Sequence, residues 1–141
     1  MFKTNTMSSL YAKCYESTPQ NQNLTELLQE EVVESCIIQN QTISDADFSN
    51  TRFRRVIFQN CCLLNCSFAG CELIETRLIN CDLAGSVFDL SLWNQTMAWL
   101  TTGINIQNAT LCNAVFEDCE FSSNNFYKCS SESVEIYKGS M

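Results

Sequence analysis

The chain has 141 residues, a formal net charge of −8, ten cysteines and no histidine. That length suits one domain; it holds no apolar run long enough to span a membrane, and Met1 to Leu10 lacks the apolar core of a secretory signal, so the reading is a cytoplasmic protein with no membrane partner. Without histidine the commonest general base and metal ligand is gone, and acidity spread along the chain argues against direct binding of nucleic acid.

Residues 1–30 read as a polar N-terminal arm and a capping helix. The helix falls at Asn21 to Glu30, with Asn23 or Thr25 as cap and Leu24, Leu27 and Leu28 on one face. Its work is to cover open strand edges of whatever follows.

From residue 31 to 136 the sequence runs on a five-residue grid. Phe48, Phe53, Phe58, Phe68 and Phe88 share its phase, and Leu63, Leu73, Leu78, Leu83 and Trp93 fill the slots between. Neither a helix nor a flat strand repeats every five residues, so short units stack. Two residues before each slot sits a small residue. Cys36, Cys61, Cys66, Cys71 and Cys81 take that place, as do Thr51, Thr76 and Ser86. Cysteine there serves as a small buried hydrophobe, reduced rather than bridged.

After Trp93 the pattern breaks and resumes at Ile106, in the phase of Leu111, Phe116, Phe121 and Phe126. Thirteen residues separate Trp93 from Ile106, two units plus three. The expectation is an insertion within 94–103. The pattern fades through Val134 and Ile136, leaving a tail at 137–141.

Units such as Ala46-Asp47-Phe48-Ser49-Asn50 and Cys81-Asp82-Leu83-Ala84-Gly85 resemble those of the pentapeptide-repeat family. The resemblance implies an all-β fold, a right-handed quadrilateral β-helix with four units per coil. About five coils are expected, with a short N-terminal helical cap and one loop insertion. Coils would stack at about 4.8 Å.

A coil of four units makes residues twenty apart neighbours. Arg52 then meets Glu72, Arg55 meets Glu75, and Asn60 meets Asn80. What looks like a phosphate-binding patch becomes a neutralised ladder. Outward carboxylates on a filled rod have no pocket to tune them. No catalytic residue, cofactor or metal site is therefore expected, and the chain reads as a non-enzyme.

Partner-binding candidates are Met97, Trp99 and Leu100 in the expected insertion, and the outward apolar residues Ile57, Ile74 and Ile79. The C-terminal strand has no evident cover, so Phe126, Val134, Ile136 and Tyr137 are candidates for an end-to-end homodimer. The quinolone-resistance members of the family bind DNA gyrase through an acidic rod and dimerise at their C-terminal ends. By resemblance, this chain is expected to be an acidic DNA mimic that binds a DNA-acting enzyme such as a type II topoisomerase. Its rod is short, and Arg52 to Arg55 interrupt the acidity. The alternative is a general interaction adaptor, a phage accessory factor or a secreted effector.

Overall fold

The computed structural model describes residues 23–28, 30–122 and 125–138. Helix α1 (Leu24–Leu27) opens the described chain. Asn23 caps it, its side-chain Oδ1 accepting from Thr25 N at 2.8 Å. Leu24 and Leu27 are buried in the same core as the strands, so the helix seals the first coil as its apolar face requires. The expected arm at residues 1–20 lies outside the described residues.

Every strand pairing is parallel, and the coil has four sides. The first side stacks the opening halves of β1 (Val32–Gln39) and β3 (Arg52–Gln59), then β5 (Glu72–Ile74), β8 (Leu92–Asn94), β11 (Thr110–Cys112) and β13 (Ser130–Glu132). The second side stacks the closing halves of β1 and β3, then β6 (Arg77–Ile79), β9 (Met97–Trp99), β12 (Val115–Glu117) and β14 (Glu135–Tyr137). β2 (Thr42–Ser44) and β4 (Cys62–Leu64) form the third side, continued by bridges through Asp82 and Thr102. The fourth carries bridges from Asp47 to Ser67 to Val87, and β7 (Phe88–Asp89) beside β10 (Ile106–Gln107). The result is a β-solenoid of about five turns.

Each corner is turned by a residue in the left-handed region. Asn40, Asn50, Asn60, Asn65 and Asn80 do this with φ between 52° and 62°. Asparagine tolerates that backbone better than most residues, which is why it recurs there.

The inward slots make one continuous core. On the fourth side Phe48, Phe68 and Phe88 stack with centroid separations of 5.3 and 4.4 Å. Where the small slot holds Thr, Ser or Cys it can also supply a donor, whereas Val56, Ala109 and Ala114 fill it by volume alone. Thr76 Oγ1 donates to Phe53 O (3.0 Å), Thr96 Oγ1 to Leu73 O (2.7 Å), Ser86 Oγ to Leu63 O (2.6 Å) and Cys71 Sγ to Phe48 O (2.8 Å). Ser86 also accepts from Cys66 N, and Thr96 from Thr76 N. These side chains tie coil to coil inside the core, where an unmet polar group is costly. Nine described cysteines are free. Cys119 and Cys129 share the slot but are only half-buried, because the coils beyond them end.

The expected insertion at 94–103 is absent; the chain is instead two residues short. β9 lies in register between β6 and β12, with Ala98 between Leu78 and Phe116. Ala98 fills the grid slot and is fully buried. Left-handed corners fall at Leu100, Gly103 and Asn108, so Thr101-Thr102-Gly103 is a three-residue unit. Leu73 pairs with Trp93, twenty residues on, but Trp93 pairs with Leu111, eighteen residues on. Gly103 (φ 75°) makes the short unit possible: a Cβ there would lie 2.8 Å from Ala84 N and 3.0 Å from Ala84 Cα.

Candidate protein-binding faces

With the core filled, any function lies on outward side chains. Along each strand these alternate with the inward slots. On the first side Arg52 pairs with Glu72 at 3.5 Å and, at the next corner, Arg55 with Glu75 at 3.9 Å. Both pairs are well exposed, so each contributes little beyond cancelling charge. The corner after the second side carries an amide ladder. Asn60 Nδ2 donates to Asn40 Oδ1 (3.3 Å), and Asn80 Nδ2 to Asn60 Oδ1 (2.7 Å).

The third and fourth sides and their corners are different. They carry Asp45, Asp47, Asp82, Asp89 and Glu120, while all four arginines lie on the first two sides or the corner between them. Asp47 accepts from the hydroxyl and backbone N–H of Ser49, which hold its carboxyl below the usual range. Asp89 accepts from Asn108 Nδ2 at 2.8 Å. These carboxylates all stand on outward positions of the coil.

Register gathers some apolar candidates and separates others. Ile57, Ile79, Met97 and Trp99 all face outward on the second side, with Leu100 at its corner. Met97, Trp99 and Leu100 thus stand on a regular coil, not on a loop. Ile74 lies on the first side, opposite Arg54 and Asn94, and does not join them. Val115 does join, next to Met97. Sequence reasoning passed over Val115 because its neighbour is eighteen residues away, and only the short unit reveals that.

At the C-terminal end β13 and β14 are exposed throughout. Ile136 is 50% and Tyr137 49% exposed, while Phe126 and Val134 are half-buried against the core. A shallow groove of about 320 Å³ runs beside the amide ladder, lined by Cys61, Cys62, Cys81, Asp82 and Leu100 among others. Among the described residues no group of His, Cys, Asp and Glu could hold a metal ion, and no helix is long and apolar enough to cross a membrane.

The sequence model of the pentapeptide repeats matches residues 39–68 and 58–89, with eight copies. Among solved structures, a pentapeptide repeat protein (Rfr23) from the cyanobacterium Cyanothece 51142 is 14% identical; the match covers 81% of this chain and 92% of that one, with a TM-score of 0.26. QnrB1, a plasmid-mediated fluoroquinolone resistance protein, is 20% identical over 73% of this chain and 58% of its own, also at 0.26. No curated protein sequence matches significantly. Residues 39–89 of this chain are thus pentapeptide repeats, eight matched copies inside a five-residue grid that continues on both sides of them.

Proposed function

We propose that this protein is a non-enzymatic, protein-binding solenoid whose acidic third and fourth sides enter the basic groove of a DNA-acting enzyme, such as a type II topoisomerase, in place of duplex DNA. What carries this reading is that the third and fourth sides hold no arginine and bear five outward carboxylates against one described cation, Lys128. Arginines are confined to the first two sides and their corner, where Arg52 and Arg55 are paired, while Asp45, Asp47, Asp82, Asp89 and Glu120 face the other way. A rigid, predominantly acidic face steers a basic partner and raises its rate of association. A filled core with shallow grooves supports binding over catalysis. Nine free thiols fit a reducing, cytoplasmic compartment.

The same proposal includes a homodimer. Ile136 and Tyr137 are half exposed on the last described coil, whose outer edge pairs with no described strand, and a second copy meeting it end to end would hide both edges. Light scattering at micromolar concentration checks this: a 16.0 kDa species throughout would exclude the dimer.

The partner reading is tested by competition with duplex DNA for a purified type II topoisomerase. Competition should weaken as salt rises, and the triple change Asp45→Asn, Asp47→Asn, Asp89→Asn should abolish it while the fold persists. Salt-independent binding, or none, overturns the mimic and leaves the adaptor alternative, which the apolar second side favours.

A further inference from the structure

The second side holds a feature that folding does not ask for. At the corner following it, three successive coils place Asn40, Asn60 and Asn80, each left-handed and each in the amide ladder. The next coil places Leu100 there, also left-handed (φ 54°) and 42% exposed. Leucine tolerates that backbone poorly and cannot extend the ladder. Beside it Trp99 is 38% exposed; half-buried Ile79 pairs with Trp99, while half-buried Met97, on the same strand, pairs with half-buried Val115 on one side and with exposed Arg77 on the other. One coil on, Glu117 pairs with Trp99, Asp118 follows at the corner that Leu100 occupies above, and Glu120 lies beyond it. None of these three carboxylates is in an ion pair among the described residues.

We infer that this apolar cluster, with its carboxylate border, is a docking surface for an amphipathic helix of a partner protein that carries Lys or Arg beside its apolar stripe. The apolar residues run diagonally across three coils at about 4.8 Å spacing, from Ile79 through Trp99 and Met97 to Val115, a span of roughly 10 Å or about two helical turns, with Arg77 and Glu117 at the opposite corners. The border then meets the helix's cations as it leaves the apolar part. An anionic lipid surface or nucleic acid would be repelled by the same border. A second copy fits poorly. Paired row for row, the face sets Glu117 and Glu135 of both copies together; reversed, it sets Glu117 over Ile79. The surface shares only Glu120 with the charged faces of the mimic reading and does not depend on it.

The test uses the full chain and synthetic helical peptides of about 18 residues, long enough to hold a helix. One has leucines at i, i+3, i+4 and i+7 flanked by lysines; a control replaces the lysines with glutamates. Trp93 is fully buried, so a blue shift of tryptophan emission reports Trp99. The lysine peptide should produce that shift and the glutamate peptide should not. Trp99→Ala should weaken binding about tenfold, as loss of a hot-spot residue does. Leu100→Asn should also weaken it while leaving thermal stability equal or higher, since asparagine restores the ladder. Glu117→Gln with Asp118→Asn should weaken it several-fold and flatten its salt dependence. Asp45→Asn should leave it unchanged. The inference is overturned if both peptides bind alike, if neither shifts the emission, if Leu100→Asn destabilises the fold and leaves binding intact, or if Trp99→Ala instead abolishes self-association.

Discussion

The indole Nε1 of Trp93 donates to Oγ of Ser91 at 3.2 Å, and both residues are buried. Ser91 Oγ in turn donates to Phe88 O at 3.3 Å, so one small-slot hydroxyl serves two buried groups. Trp93 also contacts Phe88 and Phe116, with centroids 5.1 and 5.5 Å away. Ser91→Ala should strand the indole N–H and cost about 1–3 kcal/mol. Urea unfolding checks this. Ser91→Thr, which keeps the hydroxyl, should cost less than alanine.

What a donor in the small slot contributes has a sharper test at Thr96. Its hydroxyl donates to Leu73 O and accepts from Thr76 N. Thr96→Val keeps the shape and removes both bonds, for an expected loss of about 1–2 kcal/mol. Thr96→Ser should retain most of the stability. If valine matches the parent in urea unfolding, volume alone governs the slot.

Gly103 should resist substitution. The added methyl of Gly103→Ala would press on the backbone of Ala84 and Leu83, which cannot swing aside as a side chain can. The left-handed φ adds its own penalty. The expected loss exceeds about 1 kcal/mol by thermal unfolding. Reinserting the two residues missing from the short unit alongside the alanine should recover part of it.

Alkali should destabilise the fold through its thiols. Burial pushes Cys71 from 9.0 up to about 12, and raises Cys66 and Cys119 as well. A folded value above the unfolded one means that the fold holds the proton more tightly. That stability is complete below pH 9.0 and is lost as pH rises through about 12. Cys71→Ser keeps a donor to Phe48 O without titrating near there, so its urea midpoint should fall less across that window. At neutral pH, thiol reagents should label half-buried Cys62 and Cys112 first, then Cys119 and Cys129. Buried Cys36, Cys66, Cys71 and Cys81 should react only after denaturation.

The grid could be read from the sequence because large residues mark each slot from Phe48 to Trp93. The short unit was hidden because the next slot holds Ala98, which looks like an end of the pattern rather than a member of it. The missed signal was the small slot. Thr96 and Thr101 continue the spacing of Thr76, Cys81, Ser86 and Ser91, and all six face inward. Following them would have carried the regular coil to residue 101 and shown a unit cut short. The outward faces were less legible. Which candidates share a side depends on register, and a slip of two residues moves every later neighbour. Ile74 and Ile79, one unit apart, stand on adjoining sides as a four-sided coil requires, whereas beyond the short unit the slip sets Trp99 beside Glu117 and not beside Cys119.

Partners in this rod are never far apart in sequence. Phe53 meets Leu73, Leu73 meets Trp93, and Trp93 meets Leu111, each within twenty residues. No pairing therefore requires closing a loop longer than one coil, and the entropic cost of each closure is nearly the same along the chain. A nucleus of two coils, once formed, offers the following coil a finished edge, so assembly proceeds by accretion from wherever it begins. The short unit is then a point where a growing rod that had added coils of constant length must accept one that is tighter. A pause there would appear as a folding phase removed by restoring the two missing residues.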